Sequence, residues 1–295
     1  MLAVAIACCM PLAAQPLGRP NAPAFRSEIR LQSMLFDNFF QATDPSLEED
    51  VIGTGVEYRA AYRAWKDTDV YGHANFLHFD EEGKKNTYGG RVGVQYDGER
   101  QDYNVYVDHG WNRSTFDIAG VTDAGDVTTI AGEYSIRVVP DWQVGVEAER
   151  ESQRFEVSHE RENDATSFGA NVRYRGFGYK FMPEVGYVTG SRDVVDATEN
   201  YDESYWYVQA VSSPSRKWYL SLTYRGEKRE YTTNDVTSSK FNATDKRPQW
   251  IASGSYRASD HVVYILYYSN EDTRSSRPDH DFKTGFLLLA VSVGF

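Results

Sequence analysis

From about Val51 to the C terminus, apolar and polar residues alternate singly in segments of about ten. Val56, Tyr58, Ala60, Tyr62 and Ala64 interleave with Glu57, Arg59, Ala61 and Arg63. Val92, Val94 and Tyr96 interleave with Arg91, Gly93 and Gln95, and Tyr103, Val105 and Val107 with Asp102, Asn104 and Asp108. The same holds for Ile130–Val138 against Glu133 and Arg137, for Trp142–Ala148 against Glu147 and Glu149, for Phe168–Tyr174 against Arg173 and Arg175, and for Trp218–Tyr224 against Arg225. Successive side chains of a strand point to opposite faces, so each segment predicts a strand with one apolar and one polar face. No comparable segment repeats at 3.6 residues, so the fold class is all-β.

The connections alternate in length. Short turns rich in Gly, Pro, Asp and Ser fall at residues 66–69, 97–100, 139–141, 176–178, 213–216 and 257–260. Longer polar stretches fall at 80–87, 112–126, 156–164, 191–203, 231–247 and 272–280. A meander with all its short turns on one side predicts a closed antiparallel transmembrane β-barrel with short periplasmic turns and longer external loops. Thirteen strands follow from Val51 onward, and closed single-chain bacterial barrels have an even number. The missing strand is placed near residues 26–35, where Ile29, Leu31 and Leu35 alternate with Glu28, Arg30 and Gln32. That gives about 14 strands, with 12 or 16 open, and makes the acidic stretch 37–50 the first outer loop. Met34-Leu35-Phe36 and Phe39-Phe40 also fit a short amphipathic helix.

The beginning of the chain sets the compartment. Residues 2–14 (LAVAIACCMPLAA) have the apolar run and small residues of a secretory signal, though without a basic leader. The expected organisation is a signal peptide over residues 1–15, an N-terminal periplasmic segment over 16–25 and the barrel over 26–295. Both cysteines, Cys8 and Cys9, lie in the signal, so its removal leaves neither a disulfide scaffold nor a Cys-based zinc site.

Composition sharpens this picture. The 295 residues carry 31 Lys+Arg against 43 Asp+Glu, a net charge of −12, which argues against a nucleic-acid partner. No apolar run reaches the ~20 residues of a helical span. The 21 Tyr, 15 Phe and 6 Trp are too many for a disordered chain. They suit the two lipid–water boundaries of a barrel. A soluble β-sandwich would alternate as well, but the many even strands, the regular connection lengths and the aromatic apolar face count against it.

A barrel of about fourteen strands is too wide for side chains alone to fill, so water or an inward loop occupies it; residues 231–247 and 112–126 are the candidate loops. The inner face is expected to carry Arg59, Arg63, Arg91, Arg137, Arg173, Arg175, Lys180 and Arg225 against Glu57, Asp102, Asp108, Glu133, Glu147, Glu149 and Glu184. Facing lipid at the midplane, each charge would cost about 2–4 kcal/mol; facing a wet lumen it costs little. As a set they predict a hydrated conduit that selects solutes by charge; singly, each also serves to pair across strands. The outer loops are acidic, with Asp44, Glu48, Glu49 and Asp50 in the first and Asp193, Asp196, Glu199, Asp202 and Glu203 in the fifth. Such runs bind divalent cations near lipopolysaccharide or simply stay solvated.

No cofactor and no catalytic site are expected. Asp279-His280-Asp281 and Asp108-His109 are the acid–His neighbours a barrel hydrolase would use, but catalysis needs several groups converging in space. No phosphate-cradling Gly loop, HExxH or metal cluster is present in the sequence.

Two resemblances add to this reading. Leu287, Leu289, Val291, Val293 and the terminal Phe295 share one face. They resemble the C-terminal strand of Gram-negative outer-membrane proteins that the barrel-assembly machinery reads, with Val293 standing where an aromatic is common. The closing stretch YYSNEDTRSSRPDHDFKTGFLLLAVSVGF (residues 267–295) is similar to the last hairpin of β-barrel porins associated with exopolysaccharide or capsule export loci. The resemblance covers about a tenth of the chain. It implies an outer-membrane location, lipid and lipopolysaccharide neighbours, and saccharide export, and it carries over no functional residue. The functional expectation is a channel passing small polar solutes or a glycan passively. A non-conducting barrel in surface or exopolysaccharide assembly and, further off, a barrel hydrolase remain alternatives.

Overall fold

The alternating segments pair in sequence order and the last meets the first. In the computed structural model, which describes residues 24–37, 51–79, 86–118, 121–277 and 281–295, fourteen antiparallel strands close into one barrel. They are β1 (Phe25–Asp37), β2 (Val51–Trp65), β3 (Thr68–Phe79), β4 (Thr87–Asp97), β5 (Gln101–Ile118), β6 (Val121–Val139) and β7 (Trp142–Phe155). They continue as β8 (Asn163–Tyr174), β9 (Met182–Val194), β10 (Tyr201–Ser215), β11 (Trp218–Tyr231), β12 (Thr244–Arg257), β13 (Val262–Ser275) and β14 (Phe282–Gly294). The expected strand count and closure are those observed. The proposed signal with Cys8 and Cys9, most of the segment 16–25, most of the first acidic loop and His280 lie outside the described residues.

Closure is made by β1 against β14, from Glu28 opposite Gly294 to Asp37 opposite Gly285. Closing the sheet leaves no unpaired edge, as lipid requires of a spanning structure. Met34, Leu35 and Phe36 lie within β1, so the helical alternative for them is withdrawn: β1 has neighbours on both sides, and pairing satisfies its whole backbone.

The stretch 112–126 is corrected too. It is strand over most of its length, because β5 runs to Ile118 and β6 starts at Val121, with these two residues paired. A register shift between Gly110 and Ser114 is accommodated by Asn112 at φ 55°, a left-handed conformation that Asn tolerates. Its N–H donates to Asp126 Oδ1 at 3.1 Å and its side-chain amide to the Asn86 carbonyl at 3.0 Å.

The outer surface is apolar and framed by two aromatic rows. At the short-turn end, Tyr96 stacks on Tyr103, and Trp142 packs at a tilt against Tyr174 and Trp218 against Tyr256, with centroids 5.2, 4.9 and 4.7 Å apart. Toward the loop end, Tyr88 stacks on Trp111, and Trp206, Tyr224 and Trp250 form a continuous run. Six to eight residues separate the rows along a strand, roughly 20–26 Å. Strand tilt shortens this to roughly 15–20 Å along the barrel axis, the apolar stretch between the interfacial girdles. Leu220, Leu222, Ile130, Val146 and Leu289 are exposed between them; of the β14 set that resembles the assembly strand, Leu289 and Phe295 are exposed and Leu287, Val291 and Val293 half-buried.

Inside, the barrel is not uniformly polar. Met34 and Phe36 of β1, Val51 of β2, Leu77 and Phe79 of β3, and Phe286, Leu288 and Ala290 of β14 form a buried apolar cluster on the inner face. It spans the closing seam in the outer half of the barrel.

Candidate functional lumen

The inward side chains of the inner half surround a cavity of about 750 Å³ that reaches the short-turn end. Six of the charged residues expected on the inner face line it: Arg59, Arg173, Arg225, Glu133, Glu147 and Glu184. Glu57, Arg91 and Asp108 sit beside it around a crevice of about 10 Å³, large enough for about one water. Arg63, Asp102 and Arg137 lie nearer the short-turn rim, and Glu149 is two residues from Glu147 on the same side of β7. Arg175 is one residue beyond β8 but reaches inward, donating to Gln143 Oε1 at 3.0 Å.

Lys180 is the correction. It ends the short 3₁₀ turn Gly178–Lys180 between β8 and β9 and is exposed there. The turn after β8 is longer than the alternation indicated, which carries Lys180 out of the wall.

Most cations of the inner face are tied to acids. Glu57 receives Arg59 at 2.8 Å and Arg30 at 3.3 Å. Asp69 receives Arg26 at 2.6 Å from two strands away. Asp108 holds Arg91 at 3.0 Å and Arg113 on its other oxygen. Glu184 accepts from Arg173 at 2.5 Å and from the Tyr207 hydroxyl at 2.8 Å. Glu227 gathers Arg225, Arg229 and Arg247 at 2.5, 2.7 and 3.2 Å, and Arg247 continues to Glu271. Arg225 and Arg91 also lie over the rings of Tyr205 and Tyr106, 3.7 and 3.9 Å from the centroids, where cation–π attraction adds to the pairing. Buried charges persist only when paired in this way.

Several of these partners escaped sequence reasoning. Arg30 and Glu28 were visible only as the polar set of a short first strand. Arg247 and Asp245 lay in a stretch read as loop, whereas β12 begins at Thr244. His73, within 3.7 Å of both Glu57 and Asp108, carried no signal beyond its place in the alternation.

At the outer end the segment 232–243 joins β11 to β12. Ala243 packs with Tyr201 and Tyr231, and the Tyr231 N–H donates to the Ala243 carbonyl at 3.0 Å. Lys240 pairs with Glu199 and sits 5.2 Å from the Tyr231 ring centroid. Burial, with Arg277 nearby, pushes its ammonium down to about 8. Asp245 anchors the rim, accepting from Tyr231 at 3.0 Å and Arg277 at 3.2 Å. In the neighbouring loop, hydrogen bonds from the Thr198 hydroxyl and N–H hold Asp196 below the usual carboxylate range.

The acid–His neighbours separate. Asp108 points inward to its arginines, whereas His109, the next residue, bonds to Thr128 Oγ1 at 2.8 Å and meets the edge of Trp111. Adjacent residues of a strand face opposite sides, so this pair does not converge. Of the other, Asp281 accepts from the Ser275 N–H at 2.7 Å.

No protein-family model and no curated protein matches the chain. Solved structures do match it in fold. A mutant of TodX, a monoaromatic hydrocarbon channel, aligns with TM-score 0.56 at 8% identity over 96% of this chain and 93% of its own. The outer-membrane protein OmpT of Vibrio cholerae aligns with TM-score 0.51 at 11% identity, covering 93% and 99%. The outer-membrane protein OpdK of Pseudomonas aeruginosa aligns with TM-score 0.50 at 10% identity, covering 92% and 99%. At these identities the likeness is one of fold: the chain has the architecture of outer-membrane β-barrels.

Proposed function

We propose that this barrel resides in the outer membrane of a Gram-negative cell and acts there as a passive, porin-like channel for small polar solutes. The carrying observation is the cavity of about 750 Å³ inside the closed wall, lined by Arg, Glu, Tyr and Ser side chains and reaching the short-turn end. Polar groups at that depth are stable only if water reaches them or they pair, and a wet lumen is what lets solutes exchange. The architecture shared with TodX, OmpT and OpdK supports the reading. Lipid and lipopolysaccharide would surround the apolar band, and the outward set on β14 would serve recognition by the assembly machinery. Association with exopolysaccharide export stays part of the proposal and rests on the closing hairpin alone. No enzymatic role is proposed.

A second reading is favoured by one feature. The outer half of the inner face is tightly packed, with Val51, Gln153 and Asp108 each 1% exposed, and Ala243 and Lys240 of the segment 232–243 lie against Tyr231. A barrel shut at its outer end would serve surface assembly rather than transport. Planar-bilayer recording of the refolded chain separates the two. Steps of conductance support the channel. Silence that persists after deletion of residues 233–241, with barrel circular dichroism intact, supports the closed platform.

A further inference from the structure

Glu133 of β6 and Glu147 of β7 stand directly opposite each other in the register of the two strands, and both line the cavity. Like charges placed directly opposite on one face of a sheet destabilise it. Among the described residues, neither forms an ion pair or a side-chain hydrogen bond. The arginines on the same cavity do: Arg26 to Asp69, Arg30 and Arg59 to Glu57, Arg173 to Glu184 and Arg225 to Glu227. Each of these cations is thus paired within the wall, whereas Glu133 and Glu147 face the cavity without a partner among the described residues.

The remaining lining reinforces this asymmetry. The strand residues that line the cavity on β12 to β14 are uncharged, with Ser253, Ser255, Ile265 and Ser292 among them, and the turn between β12 and β13 adds the acid Asp260. On the acidic side, Glu147 lies across from Gly169 of β8. A Cβ there would come within 2.5 Å of Glu147 Oε1. The glycine therefore leaves room for the carboxylate to lie against the wall, where it keeps charge without filling the lumen. A passage with low-dielectric walls and one uncompensated sign of charge focuses its field and concentrates counter-ions.

We infer that the lumen is selective for cations over anions, and that Glu133 and Glu147 are the residues that set this preference. The inference rests on the channel reading and adds its substrate class: inorganic cations and small organic amines. Neutral solutes would pass without enrichment, and anions would be disfavoured.

The test is the reversal potential of the refolded full-length chain in a planar bilayer under a KCl gradient at neutral pH. The expected potential takes the sign of the potassium equilibrium potential. In the double variant E133Q/E147Q it should fall toward zero as the potassium-to-chloride permeability ratio drops several-fold toward unity, with conductance retained. The pair E133D/E147D keeps both charges and should keep the preference, which separates charge from mere occupancy. A wild-type channel without preference, or one that prefers chloride, overturns the inference. So does a double Gln variant that is as selective as wild type. Absence of all conductance from a correctly folded wild-type barrel is a different failure: it removes the channel reading, and the selectivity with it.

Discussion

Phe36 and Phe286 face each other across the seam where the first strand meets the last, with ring centroids 4.9 Å apart and planes inclined by 47°. Both rings point into the barrel and are buried, with Phe79 6.0 Å from the first and Tyr267 5.5 Å from the second. The seam is where a closed sheet joins the residues most distant in sequence, so its pairing carries the largest loop-closure cost. A dry cluster at this point offsets that cost better than exposed polar pairs, because burial of aromatic area is a large favourable term.

Truncation should therefore be expensive here. F36A or F286A is expected to destabilise the barrel by about 3–5 kcal/mol, the range for emptying a buried Phe site. Equilibrium urea unfolding in lipid vesicles, followed by tryptophan fluorescence, measures it. Losses under about 1 kcal/mol, as at an ordinary surface position, would show that the cluster does not hold the seam.

The opposed carboxylates make a prediction of the other sign. Neutralising one member of the Glu133–Glu147 pair removes a cross-strand repulsion. E133Q and E147Q should thus each stabilise the barrel by about 0.2–1 kcal/mol. The second substitution should add less than the first, because the repulsion is already gone. Equal and additive destabilisation in the same unfolding assay would contradict this.

These two pairs show how much was legible in the sequence. The fourteen strands were readable because lipid and water make the outer and inner faces opposite in character, and Val56-Glu57-Tyr58-Arg59 records this directly. Where the contrast fades, so does the reading. Beyond the lipid band both faces meet water, which is why the stretch 112–126 reads as loop although β5 reaches Ile118 and β6 starts at Val121. Near the seam both faces are apolar, which is why a helix stays open as an alternative for Met34–Phe36. Charged residues could be assigned to the inner face, but their partners could not. Arg26 reaches Asp69 over two strands, a relation set by side-chain length and barrel curvature that periodicity does not encode.

Lys240 gives a pH dependence outside the membrane. Its ammonium is pushed from 10.5 down to about 8 by burial, chiefly, and by Arg277. Between about pH 8 and 10.5 the unfolded chain holds a proton that the folded chain has released, so stability should rise with pH across that window. Below 8 both states are protonated, and the cost of burying the charge is felt in full. K240M should remove this rise while leaving other titrations in place. Urea midpoints measured from pH 7 to 10 for both proteins decide it; parallel profiles would contradict the assignment.

The two faces of the wall should respond oppositely to the same charge. Leu289 is 55% exposed on the outer face near the middle of β14, whereas Ser253 of β12 faces the cavity and shares a hydrogen bond of 2.7 Å with Ser221. An arginine at 289 must sit in hydrocarbon, at about 2–4 kcal/mol, unless it bends toward a headgroup. An arginine at 253 enters water and loses about 0.5–1.5 kcal/mol of hydrogen bonding. L289R should therefore unfold at a distinctly lower urea concentration than S253R in vesicles. The gap should shrink in detergent micelles, whose headgroups lie closer to the side chain. If the two variants lose equal stability in vesicles, Leu289 does not face lipid, and the orientation of the whole wall, which the strict alternation along each strand ties together, would have to be inverted.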